Sequence, residues 1–149
     1  MTRVLALDLG SRRIGVALSD DARTVATPLT TLTRVADRPK LHRQVAELVA
    51  EWEIGLVLLG LPIALDGSLG PAAQGVLDER KELAAVVAVP VEVHDERMTT
   101  KIAERSLWER GDLDGPARAK VIDMVAATVI LQDWLDRPGA PATEGPRTQ

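Results

Sequence analysis

The sequence predicts an α/β fold built on a mixed, five-stranded sheet with helices on both faces. Two runs rich in Val, Ile, Leu and Ala, residues 3–9 and 13–19, are separated only by the Gly10-Ser11-Arg12-Arg13 turn, which is the signature of a hairpin. From residue 41 onward, segments of helical period alternate with short apolar runs, the pattern of helix-connected parallel strands. With 149 residues, 46% of them hydrophobic, the chain suffices for one core and not for two.

The elements follow in order. After the hairpin, residues 24–32 form a third extended stretch, and Pro28 within it implies an edge position or a bulge. Leu41, Val45, Leu48, Val49 and Trp52 recur at the spacing of an amphipathic helix, for which Gly55 is the expected stop. Residues 54–61 read as a buried parallel strand and 62–70 as a loop punctuated by Asp66-Gly67. Pro71 suits the first position of a helix running to about Val87. A strand over 89–94 ends at Asp95-Glu96-Arg97, and a helix over 99–110 stops at Gly111. The last helix begins at Pro116 and continues to Asp136. Residues 1–136 are therefore read as one domain, and 137–149, with three Pro and two Gly, as a disordered tail.

Composition narrows the function classes. The absence of cysteine excludes disulfides and thiolate metal sites, and His42 and His94 alone cannot make a zinc site. No leader pattern and no membrane-length apolar run is visible, which predicts a soluble, cytoplasmic protein with no membrane partner. A net charge of -4 argues mildly against non-specific coating of nucleic acid. With no Phe, no Tyr and three Trp, the composition also argues against a base-stacking platform of the single-strand-binding kind.

Three acids stand out. Asp8 interrupts a strand that reads as buried, Glu96 follows a strand end, and Asp123 lies in a helix that is apolar almost all round. Each has a plain explanation: a turn acid, a solvated cluster, or a partner such as Arg118 or Lys120. If the last helix packs across the strand ends, the three converge. Neighbouring carboxylates repel by roughly 4 kcal/mol per pair at intermediate dielectric, a penalty that a hard divalent cation removes. Mg²⁺ or Mn²⁺ held by Asp8, Glu96 and Asp123 suits phosphodiester hydrolysis, with Asp20 or Asp95 as further candidate ligands. Arg12, Arg13, Arg97, Lys101, Arg118 and Lys120 flank the acids in sequence and are candidates for holding a phosphate backbone. His94 is a candidate base or a structural histidine, and the loop from Gly60 to Gly70 a candidate phosphate approach or simply a tight turn.

Five blocks in order resemble the YqgF/RuvX family of Holliday-junction-resolvase-like, pre-16S rRNA nucleases. They are Ala6-Leu7-Asp8 with Gly10; Arg13 to Ala17 with Ser19-Asp20; Gly60-Leu61-Pro62 with Asp66-Gly67-Ser68; Asp95-Glu96-Arg97 with Thr99-Thr100; and Asp123 with Ala126-Ala127 and Ile130-Leu131-Gln132. The resemblance implies a ribonuclease H-like fold and a divalent-metal-dependent nuclease, with Asp8, Glu96 and Asp123 at the matching acidic positions. It implies a substrate that is either a precursor of 16S rRNA or branched, four-way DNA, and a monomer or a homodimer, since two symmetric cuts in a junction call for two sites. Met98, where the family usually has Leu, and the lack of an aromatic residue near Leu83 depart from its pattern. Two other classes remain. Asp-x-Gly before a hairpin also opens actin/sugar-kinase-like phosphotransferases, although these need two such domains, and the same fold can serve as a non-catalytic RNA-binding module.

Overall fold

A computed structural model describes residues 2–64, 66–96 and 115–137. Its elements are β1 (Arg3–Leu9), β2 (Arg13–Ser19), β3 (Ala26–Thr33), α1 (Arg38–Glu51), β4 (Ile54–Leu61), α2 (Pro71–Val86), β5 (Val91–Asp95) and α3 (Gly115–Asp136). The helix expected over 99–110, with Arg97 and Lys101, and the tail from residue 138 lie outside the described residues.

The five strands lie in the order β3-β2-β1-β4-β5. β1 pairs antiparallel with β2 and parallel with β4, and β4 pairs parallel with β5, so the sheet is mixed. Strand alternation sorts the side chains into two cores. Leu5, Leu7, Ile14, Val16, Val57 and Leu59 face α1 and α2, whereas Val4, Ala6, Ala17, Leu56 and Leu58 face Ala127, Ile130 and Leu131 of α3. Helices thus cover both faces. Burial on both sides is why β1 and β4 read as nearly continuous apolar runs.

Several boundaries moved. β3 occupies the sheet edge and its register slips between Val16 and Ala17, where Pro28 pairs with Ala17, so Pro28 is at both an edge and a bulge. Gly55 does not stop α1: it lies in β4, and the chain turns at Glu53, whose φ is 53°. α1 begins earlier than its apolar period implied, at Arg38, because the Asp37 side chain accepts the Lys40 N–H and Pro39 fits the first turn. β5 starts at Val91 rather than 89.

Candidate active site at the carboxyl ends of the central strands

Asp8 is the next-to-last residue of β1 and shares the α3 face with Val4 and Ala6. On one side its register partner is Gly15 of β2. On the other, the register Leu7↔Leu59 places Gly60 of β4 one residue further on. The carboxylate therefore stands between two glycines, and each gives up its side-chain space to another acid. A Cβ on Gly15 would lie 1.9 Å from the Asp123 carbonyl oxygen, so α3 rests directly on the strand there. A Cβ on Gly60 would lie 3.0 Å from Glu96 Oε1 and 2.7 Å from Ile130 Cδ1. Glu96 itself is tethered by its N–H, which donates to the Leu61 carbonyl at 3.1 Å. In this way α3 brings Asp123, and the end of β5 brings Glu96, each within electrostatic reach of Asp8.

Electrostatics carries the mark of that convergence. Burial, and then the Asp123 charge, raise the Asp8 carboxyl from 3.8 to about 6. Burial, followed by the charges of Asp8 and Asp95, raises Glu96 from 4.5 to about 7. Both acids therefore resist ionisation. Asp123 Oδ2 accepts from Arg13 Nε at 2.6 Å, and the Asp123 side chain is 19% exposed. A partner is thus found in Arg13 of β2, 110 residues away in sequence, beyond the neighbours Arg118 and Lys120 that a purely structural role suggested. Among the described residues, no three or more His, Asp or Glu side chains are grouped closely enough to hold a metal ion between them.

The other candidates sort as follows. Asp20 accepts from the Thr24 and Val25 N–H groups and from the Thr24 hydroxyl, which lowers it to about 2. It organises the β2–β3 loop. Asp95 ends β5 and adds its charge to Glu96. His94 Nε2 lies 2.7 Å from Asp133 Oδ2, an α3–β5 tie that fits the structural reading. In the loop after β4, Asp66 accepts from the Ser68 N–H at 2.9 Å and Gly67 has φ 89°, which makes it a tight turn. Arg12 is exposed on the β1–β2 turn, Arg13 opens β2, and Lys120 is exposed in the early turns of α3. Together with Ser11, Thr33 and Arg34 they line a cavity of about 420 Å³.

Sequence reasoning missed a second polar centre. Glu79, only 3% exposed, accepts from Arg34 Nη1 and Nη2 at 3.1 and 2.8 Å and lies 2.7 Å from His42 Nε2 and 3.1 Å from Arg38 Nη2. Arg34 Nε also donates to the Gly10 carbonyl at 2.6 Å, which ties this centre to the turn that follows Asp8. The signal was present: Ala73, Val76, Glu79 and Leu83 form the buried stripe of α2.

The RuvX family model, described as Holliday junction resolvase, matches residues 2–137. The chain belongs to the RuvX family. A relative from Thermoanaerobacter pseudethanolicus, named as a proposed pre-16S rRNA nuclease, is 39% identical over 134 residues, covering 90% of this chain and 96% of the relative. One from Moorella thermoacetica with the same name is 45% identical over 140 residues, covering 92% of this chain and 96% of its own. Among solved structures, T. thermophilus RuvC in complex with a Holliday junction substrate superposes with a TM-score of 0.53 at 16% identity, covering 87% of this chain and 92% of RuvC. That likeness identifies the fold of this RuvX chain as that of a ribonuclease H-like resolvase.

Proposed function

We propose that this RuvX protein is a divalent-metal-dependent nuclease that hydrolyses phosphodiester bonds, with a precursor of 16S rRNA in the cytoplasm as its substrate. The reading is supported by Asp8, which lies within electrostatic reach of both Asp123 and Glu96: burial and then the Asp123 charge raise Asp8, and burial and then the charges of Asp8 and Asp95 raise Glu96. A protein gains nothing in stability from such a cluster. It fits a hard cation: the donors are all carboxylate oxygens, there is no cysteine, and the repulsion is what Mg²⁺ or Mn²⁺ would offset. Asp8, Glu96 and Asp123 would hold the ion, which would supply an ionised water nucleophile and a counter-charge for the phosphoryl oxygens.

The chain's own cations have distinct work. Arg12 and Lys120 face the cavity beside the acids and would hold backbone phosphates of the substrate. Arg13 holds the Asp123 carboxylate in place by direct contact. Arg97 and Lys101 belong to the same proposal on sequence alone. The family description and the RuvC neighbour favour a second reading, cleavage of four-way DNA by a homodimer.

The test offers purified protein a pre-16S RNA leader and a four-way DNA junction, with Mg²⁺, Mn²⁺ or EDTA. Cleavage of the leader that needs metal, and that falls by about a thousandfold or more in Asp8→Asn, Glu96→Gln and Asp123→Asn, is the expected result. Cleavage in EDTA, or an active Asp8→Asn protein, would overturn it.

A further inference from the structure

A second cavity, of about 460 Å³, opens on the α2 side of the β1–β2 turn and is lined by Gly10, Ser11, Arg34, Pro62, Gly75 and Val76, among others. Its volume is in the range of sites that take small molecules. Ser11 and Arg34 are also part of the wall of the cationic cavity that holds Arg12 and Lys120, so the two are neighbours across a shared ridge. Ser11 is three residues beyond Asp8 and therefore within about 10 Å of it along the chain.

The two cavities differ in chemistry. In the first, Arg12 and Lys120 have no side-chain hydrogen bond or ion pair among the described residues, and they suit a phosphate. In the second, the charged groups already satisfy one another. Arg34 spends its guanidinium on Gly10 and Glu79, and Arg38 spends its own on Glu79 and Glu82. What that cavity offers a ligand is a mixed surface, apolar at Leu9, Pro62 and Ala72 and polar at Ser11 and the Gly10 backbone. Gly75 is an independent observation. It sits inside α2, where glycine is the poorest residue after proline. A Cβ there would meet nothing within 4 Å, so no packing contact in the structure calls for glycine. The space it leaves belongs to this cavity.

We propose that the α2-side cavity seats an unstacked nucleobase of a single-stranded substrate, whose adjoining phosphate lies in the Arg12–Lys120 cavity. This rests on the nuclease reading and deepens it. A base turns into such a recess at least cost from a single strand or a frayed end, because within a duplex it must first be unpaired and unstacked. The proposal therefore favours a single-stranded RNA leader over the paired arms of a junction.

The experiment measures binding of 12-nucleotide single-stranded RNAs to the full chain in EDTA, so that it reads the cavity whether or not the protein cleaves. One RNA is intact, and the others each carry a single abasic position, moved along the strand. The expected result is that one abasic position weakens binding to the wild type by about tenfold, the scale of one lost base contact. Gly75→Leu, which fills the recess, should reduce that penalty to nearly nothing, while its melting temperature, like that of Gly75→Ala, stays level or rises. The proposal is overturned if no abasic position matters in the wild type, if the penalty survives in Gly75→Leu, or if none of the RNAs binds. Absence of cleavage with Mg²⁺ or Mn²⁺, alongside the expected binding pattern, would instead sink the nuclease reading alone.

Discussion

Replacing Asp8 by Asn should make the metal-free protein more stable at neutral pH. In the folded chain the Asp8 carboxyl is raised from 3.8 to about 6 by burial and the Asp123 charge. Over that window the native state binds more protons than the unfolded chain, so stability falls as pH rises from about 4 to about 6 and is lowest above it. A rise of that size corresponds to about 3 kcal/mol. Glu96, raised to about 7 in part by Asp8, adds to the same slope, but the two titrate together and their costs do not simply sum. Asn removes the charge and relieves Glu96, yet leaves an amide to be satisfied at a cost of roughly 1 kcal/mol. The net gain is about 2 kcal/mol at pH 8, or roughly 4–8 °C in melting temperature for a chain of this size. Thermal unfolding in EDTA from pH 4 to 8 checks this, with a flatter profile expected for Asp8→Asn. Excess Mn²⁺ should raise the melting temperature of the wild type much more than that of the variant. An Asp8→Asn protein that is less stable at pH 8, or that keeps the wild-type pH slope, would refute the crowding of the acids and with it the case for a cation.

Other perturbations address the supports of the site. Glu79→Gln strips the counter-charge from the half-buried Arg34 and should cost up to about 3 kcal/mol in urea unfolding. Because Glu79 is held down at about 2 by Arg34, His42 and Arg38 against the cost of burial, its contribution is present above the ordinary glutamate pKa and is lost as pH falls toward 2. The variant should accordingly lose the acid limb of the wild-type stability curve. Gly15→Ala would drive a methyl group into the Asp123 backbone, and overpacking of that kind should lower stability by about 1–3 kcal/mol and displace Asp123, with cleavage reduced more than RNA binding. Arg12→Ala and Lys120→Ala should each weaken RNA binding and reduce the salt dependence of log K by roughly one contact's worth, about 0.7 for a single strand.

Much of this protein is legible in one dimension because burial on both faces leaves a plain trace. β1 and β4 are continuous apolar runs, and α3 is apolar nearly all round, so Asp8 and Asp123 stand out as acids in the wrong company. The hairpin, the edge position of Pro28 and the two-sided covering of the sheet follow from the same period and turn rules. Gly55 misled because a glycine after a helix resembles a cap, whereas the turn was made at Glu53 and Gly55 serves β4. Glu79 was readable from its spacing on α2, but an acid with no basic neighbour on its own stripe gives no sign in one dimension that Arg34 and His42 will reach it.

The order of the described elements and the family were determined by the sequence, since local periodicity and short blocks depend only on neighbours along the chain. Who meets whom was decided in three dimensions. Arg13 takes Asp123, 110 residues away, at 2.6 Å because β2 passes beneath α3, and Arg34 reaches Glu79 across 45 residues because β3 leads back over the β1–β2 turn toward α2. Such pairings depend on strand register and on which glycine yields its space, and a single strand offset by one residue would turn Asp8 toward the opposite core.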